Sequence, residues 1–304
     1  DASPDRWGRM LMKRREVLLS KKENRTPRAL QELDFLLGVH DLHRMGGLRF
    51  KWKEDGDYLS NDAQLAAPPW TSLRDLEYAS EQYEKHADEQ DEAALQWMNQ
   101  LVAPGSSLGG ARPKADVLDT QGRQWIAKFP STRDDSDVGL WEWMVHELAV
   151  QAGITVPKAF ARKFGSNGHT FLSQRFDRTP NHGRIQYASA MTMLQRSDGD
   201  DADTGASYLE LASFIKSGCT NVAANLEELF RRVLFSVCVS NTDDHLRNHG
   251  FLCTESGWTL SPAFDINANE SGLGLKLNID DEDNSLDLDL VMSTAPHYLL
   301  SAER

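Results

Sequence analysis

Cysteine is scarce in this chain of 304 residues: Cys219, Cys238 and Cys253 are the whole set, with no CxxC spacing. Three scattered thiols argue against a disulfide framework or a structural zinc site, and they suit a reducing cytoplasm. Long apolar runs are missing too. None approaches the ~20 residues that a membrane-spanning helix needs. The first residues, Asp1-Ala2-Ser3-Pro4-Asp5-Arg6-Trp7, lack the apolar segment of a signal peptide. They do not include an initiator Met, so further residues are expected upstream. Positive charge is also short: 33 Lys and Arg stand against 46 Asp and Glu, a formal net charge of -13. That balance argues against broad electrostatic capture of nucleic acid, which draws on Lys and Arg, and leaves a local basic patch open. What is present is ordinary. A content of 40% hydrophobic and 26% charged residues fits a soluble globular chain. The length suits two domains, or one domain of two lobes, with a sizeable core.

The pattern along the chain divides at residues 103/104 and 176/177. Residues 1–103 read as a mostly helical N-terminal subdomain, with helical spacing from Leu73 through Leu76, Ala79, Tyr83, Leu95 and Met98. Residues 104–176 open on a small-residue loop, Pro104-Gly105-Ser106-Ser107-Leu108-Gly109-Gly110-Ala111-Arg112-Pro113-Lys114. Strands are expected at 115–118 and 125–129, then a helix over 138–152 with the stripe Trp141, Val145, Leu148, Ala149 and Ala152. Two more strands are expected at 159–164 and 170–175. Residues 177–304 read as mainly helical. Their strongest helix runs over 226–240, with Leu226, Leu229, Phe230, Val233, Leu234, Val237 and Cys238 on one face and Asn225 as its cap. A hairpin over 250–260 then delivers Ser261-Pro262-Ala263-Phe264-Asp265. Loops, hairpins and helices in this order predict an α+β architecture.

The densest polar cluster follows that strongest helix: Asn241-Thr242-Asp243-Asp244-His245-Leu246-Arg247-Asn248-His249. Asp243 and Asn248 are five apart, and the hairpin returns Asp265 toward them. Phosphoryl transfer uses such a set, with one Asp to orient or deprotonate the attacking hydroxyl and an Asn and a second Asp as oxygen ligands for Mg²⁺. The plainer reading is a helix cap and turn, which Asn, Thr and Asp form routinely. A third reading is a hydrolytic metal site from Asp243, Asp244, His245 and His249. It needs His245 and His249 one helical turn apart. In the N-terminal half, the glycine-rich loop can offer backbone N–H groups to phosphate, or can simply be a flexible turn. Lys114 and Lys128 are the local cations. Lys128 sits mid-strand among apolar neighbours, with Glu142 and Glu147 as candidate ion-pair partners on the next helix.

Five stretches, in order, carry a family resemblance: the loop from Ser106 to Lys114; Ile126-Ala127-Lys128-Phe129-Pro130; Gln174-Arg175-Phe176-Asp177-Arg178; the cluster from Asn241 to Asn248; and Leu260-Ser261-Pro262-Ala263-Phe264-Asp265. Together with Pro4-Asp5-Arg6-Trp7-Gly8-Arg9 they resemble the HipA family of toxin-type serine/threonine kinases. The resemblance implies a bilobed protein-kinase-like fold, ATP and Mg²⁺, and transfer of the γ-phosphate to a protein Ser or Thr. It makes Asp243 the catalytic base and Asn248 and Asp265 the metal ligands. Lys128 would meet the ATP phosphates and pair with Glu142. Gly109, Gly110, Ala111, Arg112, Pro113 and Lys114 would form the phosphate loop, and Gln174, Arg175 and Phe176 the hinge beside adenine, with His245 also at the nucleotide. Family members phosphorylate a serine of the glycine-rich loop, which is Ser107 here, with Ser106 beside it. Adding about -2 charge there would disrupt a loop built to receive phosphate. The family acts on translation components such as aminoacyl-tRNA synthetases. A small helix-turn-helix antitoxin restrains it, so DNA would be reached only through that partner.

Such chains usually carry a further N-terminal subdomain and more C-terminal helices. This one begins inside the pattern and stops at Arg304, as a shortened chain would, or a compact member whose missing part is a separate protein. Two rivals stand beside the toxin-kinase reading: a small-molecule kinase using the same Asp-x-x-x-x-Asn, and a non-catalytic binding protein that keeps the fold and an antitoxin or DNA partner. The surplus acid lies largely at 198–203 and 280–289, which read as solvated faces.

Overall fold

The computed structural model describes residues 1–4, 6–61, 68–86, 101, 112–165 and 167–301. These divide into two compact units. One joins Asp1–Leu140 with Lys158–Arg184, and the other joins Trp141–Pro157 with Ile185–Arg304. No helix among the described residues is long and apolar enough to cross a membrane, and the three cysteines are free.

The first unit holds helices α1 (Arg6–Lys22), α2 (Glu32–Gly38) and α3 (Leu73–Lys85) and strands β1 (Lys114–Leu118), β2 (Gln124–Lys128), β3 (Ala159–Arg162) and β4 (Thr170–Gln174). The strands form one antiparallel sheet in the order β1-β2-β4-β3. Strand alternation sorts its faces. Ala115 and Val117 of β1 lie opposite Ala127 and Trp125 of β2. These four share a core with Trp7 and Leu11 of α1 and Leu73, Leu76, Ala79 and Tyr83 of α3. The expected boundary near residue 103 therefore does not separate two cores: helices from residues 1–86 supply the cover that this sheet face needs. In α2 only Phe35 is buried, and Leu33 is exposed. Helix α3 also turns acids toward the sheet. Glu77 accepts a hydrogen bond from Thr170, and Glu84 accepts from Ser131 Oγ (2.8 Å) and Thr132 N (2.7 Å). Burial pushes the Glu77 carboxyl above its ordinary pKa.

The first unit also keeps residues 177–184, beyond the expected boundary at 176/177, and the reason is a buried ion cluster. Arg175 is enclosed between Asp116 (2.5 Å) and Asp177 (2.7 Å) and donates to the carbonyl of His43 (2.7 Å). Arg178 donates to the carbonyl of Arg44 (2.8 Å), and Gly46 N donates to Asp177 (2.8 Å). Burial works against the Arg175 charge, and the two aspartates outweigh it and hold the guanidinium protonated. The segment around 41–46 is thereby fastened to the end of β4.

Helix α4 (Val138–Gln151) starts on Asp137, whose carboxylate accepts from Leu140 N (3.2 Å) and His169 N (2.8 Å). A Cβ on Gly139 would stand 1.9 Å from the carbonyl of His169, so only glycine fits there. The buried stripe of α4 is Glu142, Val145, His146 and Ala149. Trp141 and Leu148, expected on that stripe, are about half exposed at 52% and 49%. The buried face is turned away from the most apolar one and takes in two polar residues.

The second unit holds α5 (Ala190–Met193), α6 (Tyr208–Gly218), α7 (Val222–Cys238), α8 (Leu288–Ser293) and the antiparallel sheet β5 (Gln186–Ser189), β6 (Gly250–Thr254), β7 (Gly257–Leu260). Its core gathers Leu226, Leu229, Phe230, Val233 and Val237 of α7 with Tyr208, Leu211 and Ile215 of α6, Phe251 and Leu260 of the sheet, and Tyr298. Each such side chain stabilises the fold by roughly 1.5–3 kcal/mol on burial. Strand β5 makes this half less purely helical than its sequence suggests. Helix α7 begins at Val222, a turn before the expected start, with Asn221 as its cap residue at φ 49°. Asn225 lies inside the helix. Its side chain donates to Thr220 O (2.7 Å) and accepts from Thr259 Oγ1 (3.0 Å) and Leu260 N (3.1 Å), so it joins α7 to β7. The acids at 281–283 are exposed, as expected of a solvated face.

Replacing Arg175 by Met leaves Asp116 and Asp177 buried and unpaired. The expected loss is about 3–5 kcal/mol, read as a lower denaturant midpoint at neutral pH.

Candidate active site

The second unit contains the Asp243–Asn248 loop. Helix α7 ends at Cys238, and residues 241–249 run as turns, without helix. Main-chain bonds from His245 N to Asp243 O (3.0 Å) and from Asn248 N to His245 O (2.8 Å) shape them, and Asn248 Nδ2 closes on Asp243 O (3.1 Å). With its Nδ2 donating there, Asn248 has Oδ1 as the atom that could ligate a cation. Asp243 is exposed and Asn248 is buried. Without a helix, His245 and His249 do not share a helical face. Among the described residues no group of three or more His, Cys, Asp and Glu is arranged to hold a metal ion. The hydrolytic metal reading therefore loses its geometric basis. His245 is half-buried, and its Nδ1 is buried with no hydrogen-bond partner.

Asp265 is fastened to this loop by residues beyond the motif. Asn267 N donates to Asn241 Oδ1 (3.2 Å), Asn269 N to Ser240 O (2.9 Å), and Asn269 Nδ2 to Thr242 Oγ1 (2.9 Å). Asp265 itself is half-buried at φ 58°, a left-handed backbone costing on the order of 1–2 kcal/mol for a residue with a Cβ. Such strain persists where a side chain must be aimed. Two oxygen donors, Asn248 and Asp265, fit Mg²⁺, which takes one or two protein ligands and leaves its other positions to phosphate and water.

The first unit holds the cations. Lys114 and Lys128 face each other across β1 and β2 in register, and Phe171 continues the row on β4, with its ring 5.8 Å from Lys128 Nζ. Lys114 is buried and Lys128 half-buried. The side chains of two expected nucleotide residues, Arg112 and Arg175, meet protein groups. Arg112 binds both oxygens of Asp134 and the carbonyl of Phe129 (3.1 Å), so it ties down the C-terminal end of the glycine-rich loop. Arg175 has its side chain in the ion cluster, and only its main chain could serve a nucleotide. Pro113 O accepts from Phe129 N (2.9 Å) beside β2. Gln174 and Phe176 alternate with the cluster residues and are half-buried. On α4, which is assigned to the second unit from Trp141 onward, Glu142 is buried and Glu147 is partly exposed beside His146. Ser106, Ser107, Gly109, Gly110 and Ala111 lie outside the described residues.

Residues 106–301 match the family model described as the HipA-like C-terminal domain. The chain belongs to that family. A Haemophilus influenzae protein named "Putative kinase" is 28% identical over 182 residues, 53% of this chain and 52% of the relative. The chain thus spans about half the length of that curated relative. Among solved structures, HipA of Shewanella oneidensis MR-1, in a complex with HipB and operator DNA, aligns with a TM-score of 0.60 at 18% identity, covering 95% of this chain and 76% of that one. That likeness shows a shared HipA fold. The Helicobacter pylori kinase CtkA aligns at a TM-score of 0.45 and 11% identity, over 61% of this chain and 78% of that one.

What sequence reading missed in this HipA-like domain is the lacing around the motif: Ser240, Asn241 and Thr242 against Asn267 and Asn269. The run of Asn after Asp265 was its only signal. The strained backbone at Asp265 separates stability from use. Asp265→Gly should hold or raise the melting temperature, by roughly 1 kcal/mol of stability, and Asp265→Ala should lower it. Thermal unfolding without ligand tests the pair.

Proposed function

We propose that this HipA-like chain is an ATP- and Mg²⁺-dependent serine/threonine kinase of bilobed, protein-kinase-like architecture that phosphorylates a protein. The observation that carries the reading is the Asp243 loop: an exposed carboxylate on a turn closed by Asn248, with the segment after Asp265 laced onto the same turn. On this reading Asp243 accepts the proton of the attacking hydroxyl as that oxygen bonds to the γ-phosphorus and the bond to the ADP oxygen breaks. Asn248 and Asp265 would hold Mg²⁺, which supplies neutralisation of charge developing on the phosphates. Lys128, for which Glu142 is the expected ion-pair partner, and Lys114 opposite it would serve the phosphates, with the main chain from Gly109 to Pro113. Gln174, the main chain of Arg175, and Phe176 would serve adenine, with His245 near the nucleotide.

The family resemblance extends the proposal to autophosphorylation on Ser107 or Ser106, to a translation component such as an aminoacyl-tRNA synthetase as substrate, and to the cytoplasm as setting. A small helix-turn-helix antitoxin is the proposed partner, and DNA would be met through it. The Shewanella relative, crystallised with HipB and operator DNA, supports that partner.

Incubation with labelled ATP and Mg²⁺ tests the reading. The chain should label itself or a protein of a cell extract, and Asp243→Asn should reduce labelling about 10²–10⁴-fold. If neither chain labels any protein, the protein-kinase reading falls. Equal labelling by both would overturn Asp243 as base.

A further inference from the structure

Asp243 and Asp244 are neighbours with opposite surroundings. Asp243 is exposed, whereas Asp244 is 5% exposed. We propose that Asp244 is a positioning residue, whose buried carboxylate anchors the 243–249 loop to two helices and so sets where the Asp243 carboxylate stands. The inference deepens the kinase reading and rests on it.

The anchor has three points. Asp244 Oδ2 accepts from Tyr208 OH (2.7 Å), at the first residue of α6, and from Ser236 Oγ (3.3 Å), in the last turn of α7. Its Oδ1 lies 3.0 Å from His249 Nε2, at the far end of the same loop. One carboxylate therefore joins both ends of the loop to two helices. The fully buried Tyr208 ring also stands edge-on to His249, with centroids 5.7 Å apart. The main chain of the loop closes the frame: Ala190 N donates to His249 O (2.8 Å) and Met191 N to Leu246 O (3.2 Å).

The loop needs such an anchor because it has no regular structure of its own. Its internal main-chain bonds span single turns, so side chains must decide which turn forms. Burial alone would raise the Asp244 pKa, and the His249 ring with the Tyr208 hydroxyl holds it below the ordinary carboxylate range. A buried ionic group of this kind is weak evidence for stability, since an apolar replacement of like volume is often as stable. What it supplies is one conformation of the loop. A cavity of about 10 Å³, room for one water, is bordered by Asp244, Asn248, Asn241 and Arg232, and the buried Nη1 of Arg232 has no hydrogen-bond partner.

The test uses the full chain with Asp244→Ala, Asp244→Asn and Tyr208→Phe, all assayed well below their melting temperatures. Steady-state labelling gives kcat and KM for ATP, and hydrogen–deuterium exchange follows the amides of 240–250. Asp244→Ala should lower kcat roughly 10–100-fold, as a small misplacement of a reacting group does, with KM for ATP within about threefold of the parent. Exchange at the His245 and Asn248 amides should rise with it. Asp244→Asn keeps an acceptor for Tyr208 and Ser236, so it should recover most of the loss. Tyr208→Phe should reproduce part of it, and this pair carries the test if Asp244→Ala does not fold. The proposal is overturned if kcat and loop exchange stay at parental values, if the loss appears in KM alone, or if Asp244→Asn is no better than Asp244→Ala. If the parent transfers no phosphate at all, the kinase reading fails. Loop exchange then decides the anchor by itself: faster in Asp244→Ala and restored in Asp244→Asn upholds it, and unchanged exchange removes it.

Discussion

Burial of one face of α7 is the constraint on which the second unit depends. Leu226, Leu229, Phe230, Val233 and Val237 leave this helix a single way to lie against α6, the sheet and Tyr298. That placement decides where the chain emerges after Cys238, and every candidate catalytic group of the unit is set from there. The turn carrying Asp243 grows directly from the helix end. Ser236, still on α7, reaches Asp244, and Asn225, a turn inside the other end, holds β7. Strand β7 in turn leads to Asp265. Apolar packing thus fixes the axis, and short polar bonds convert it into positions for individual oxygens.

The first unit reaches precision by a different route. Its sheet has an apolar face covered by α1 and α3, and a row of Lys114, Lys128 and Phe171 in register across three strands. The β4 exit is held by charge: Arg175 between Asp116 and Asp177, also donating to the carbonyls of His43 and Arg44. A buried guanidinium offers donors in a fixed fork, so it can hold several backbone strands at once where an apolar residue could hold none in register.

Much of this was legible in the sequence, for physical reasons that differ by element. Strands β1, β2, β6 and β7 and helix α7 could be read because their apolar spacing is strong and their turns are marked by glycine. The family resemblance on the five motifs agrees with the family to which residues 106–301 belong. Other features were not legible. On α4, Trp141 and Leu148 read as core residues, yet the buried face carries Glu142 and His146, because burial there follows polar partners as well as hydrophobicity. Asn225 had the identity of a cap and became a cross-link to β7. The resemblance put Arg112 in the phosphate loop and Arg175 in the hinge, and it did not show that both side chains hold protein carboxylates. A charged side chain advertises that it needs a partner, and sequence alone does not say which.

The sequence by itself determined the α+β content, the run of motifs from the glycine-rich loop to Asp265, and the five-residue spacing of Asp243 and Asn248. These are local properties, written in periodicity and neighbouring residue types. Only the tertiary structure decided that Asp244 turns inward while Asp243 stays out, that Asp265 takes a left-handed backbone, and that Lys114 and Lys128 meet in register. Those outcomes depend on partners far away in the chain, Tyr208 for Asp244 and the segment beyond Asp265 for Thr242. Such pairings exist only once hydrophobic burial has placed the helices that carry them.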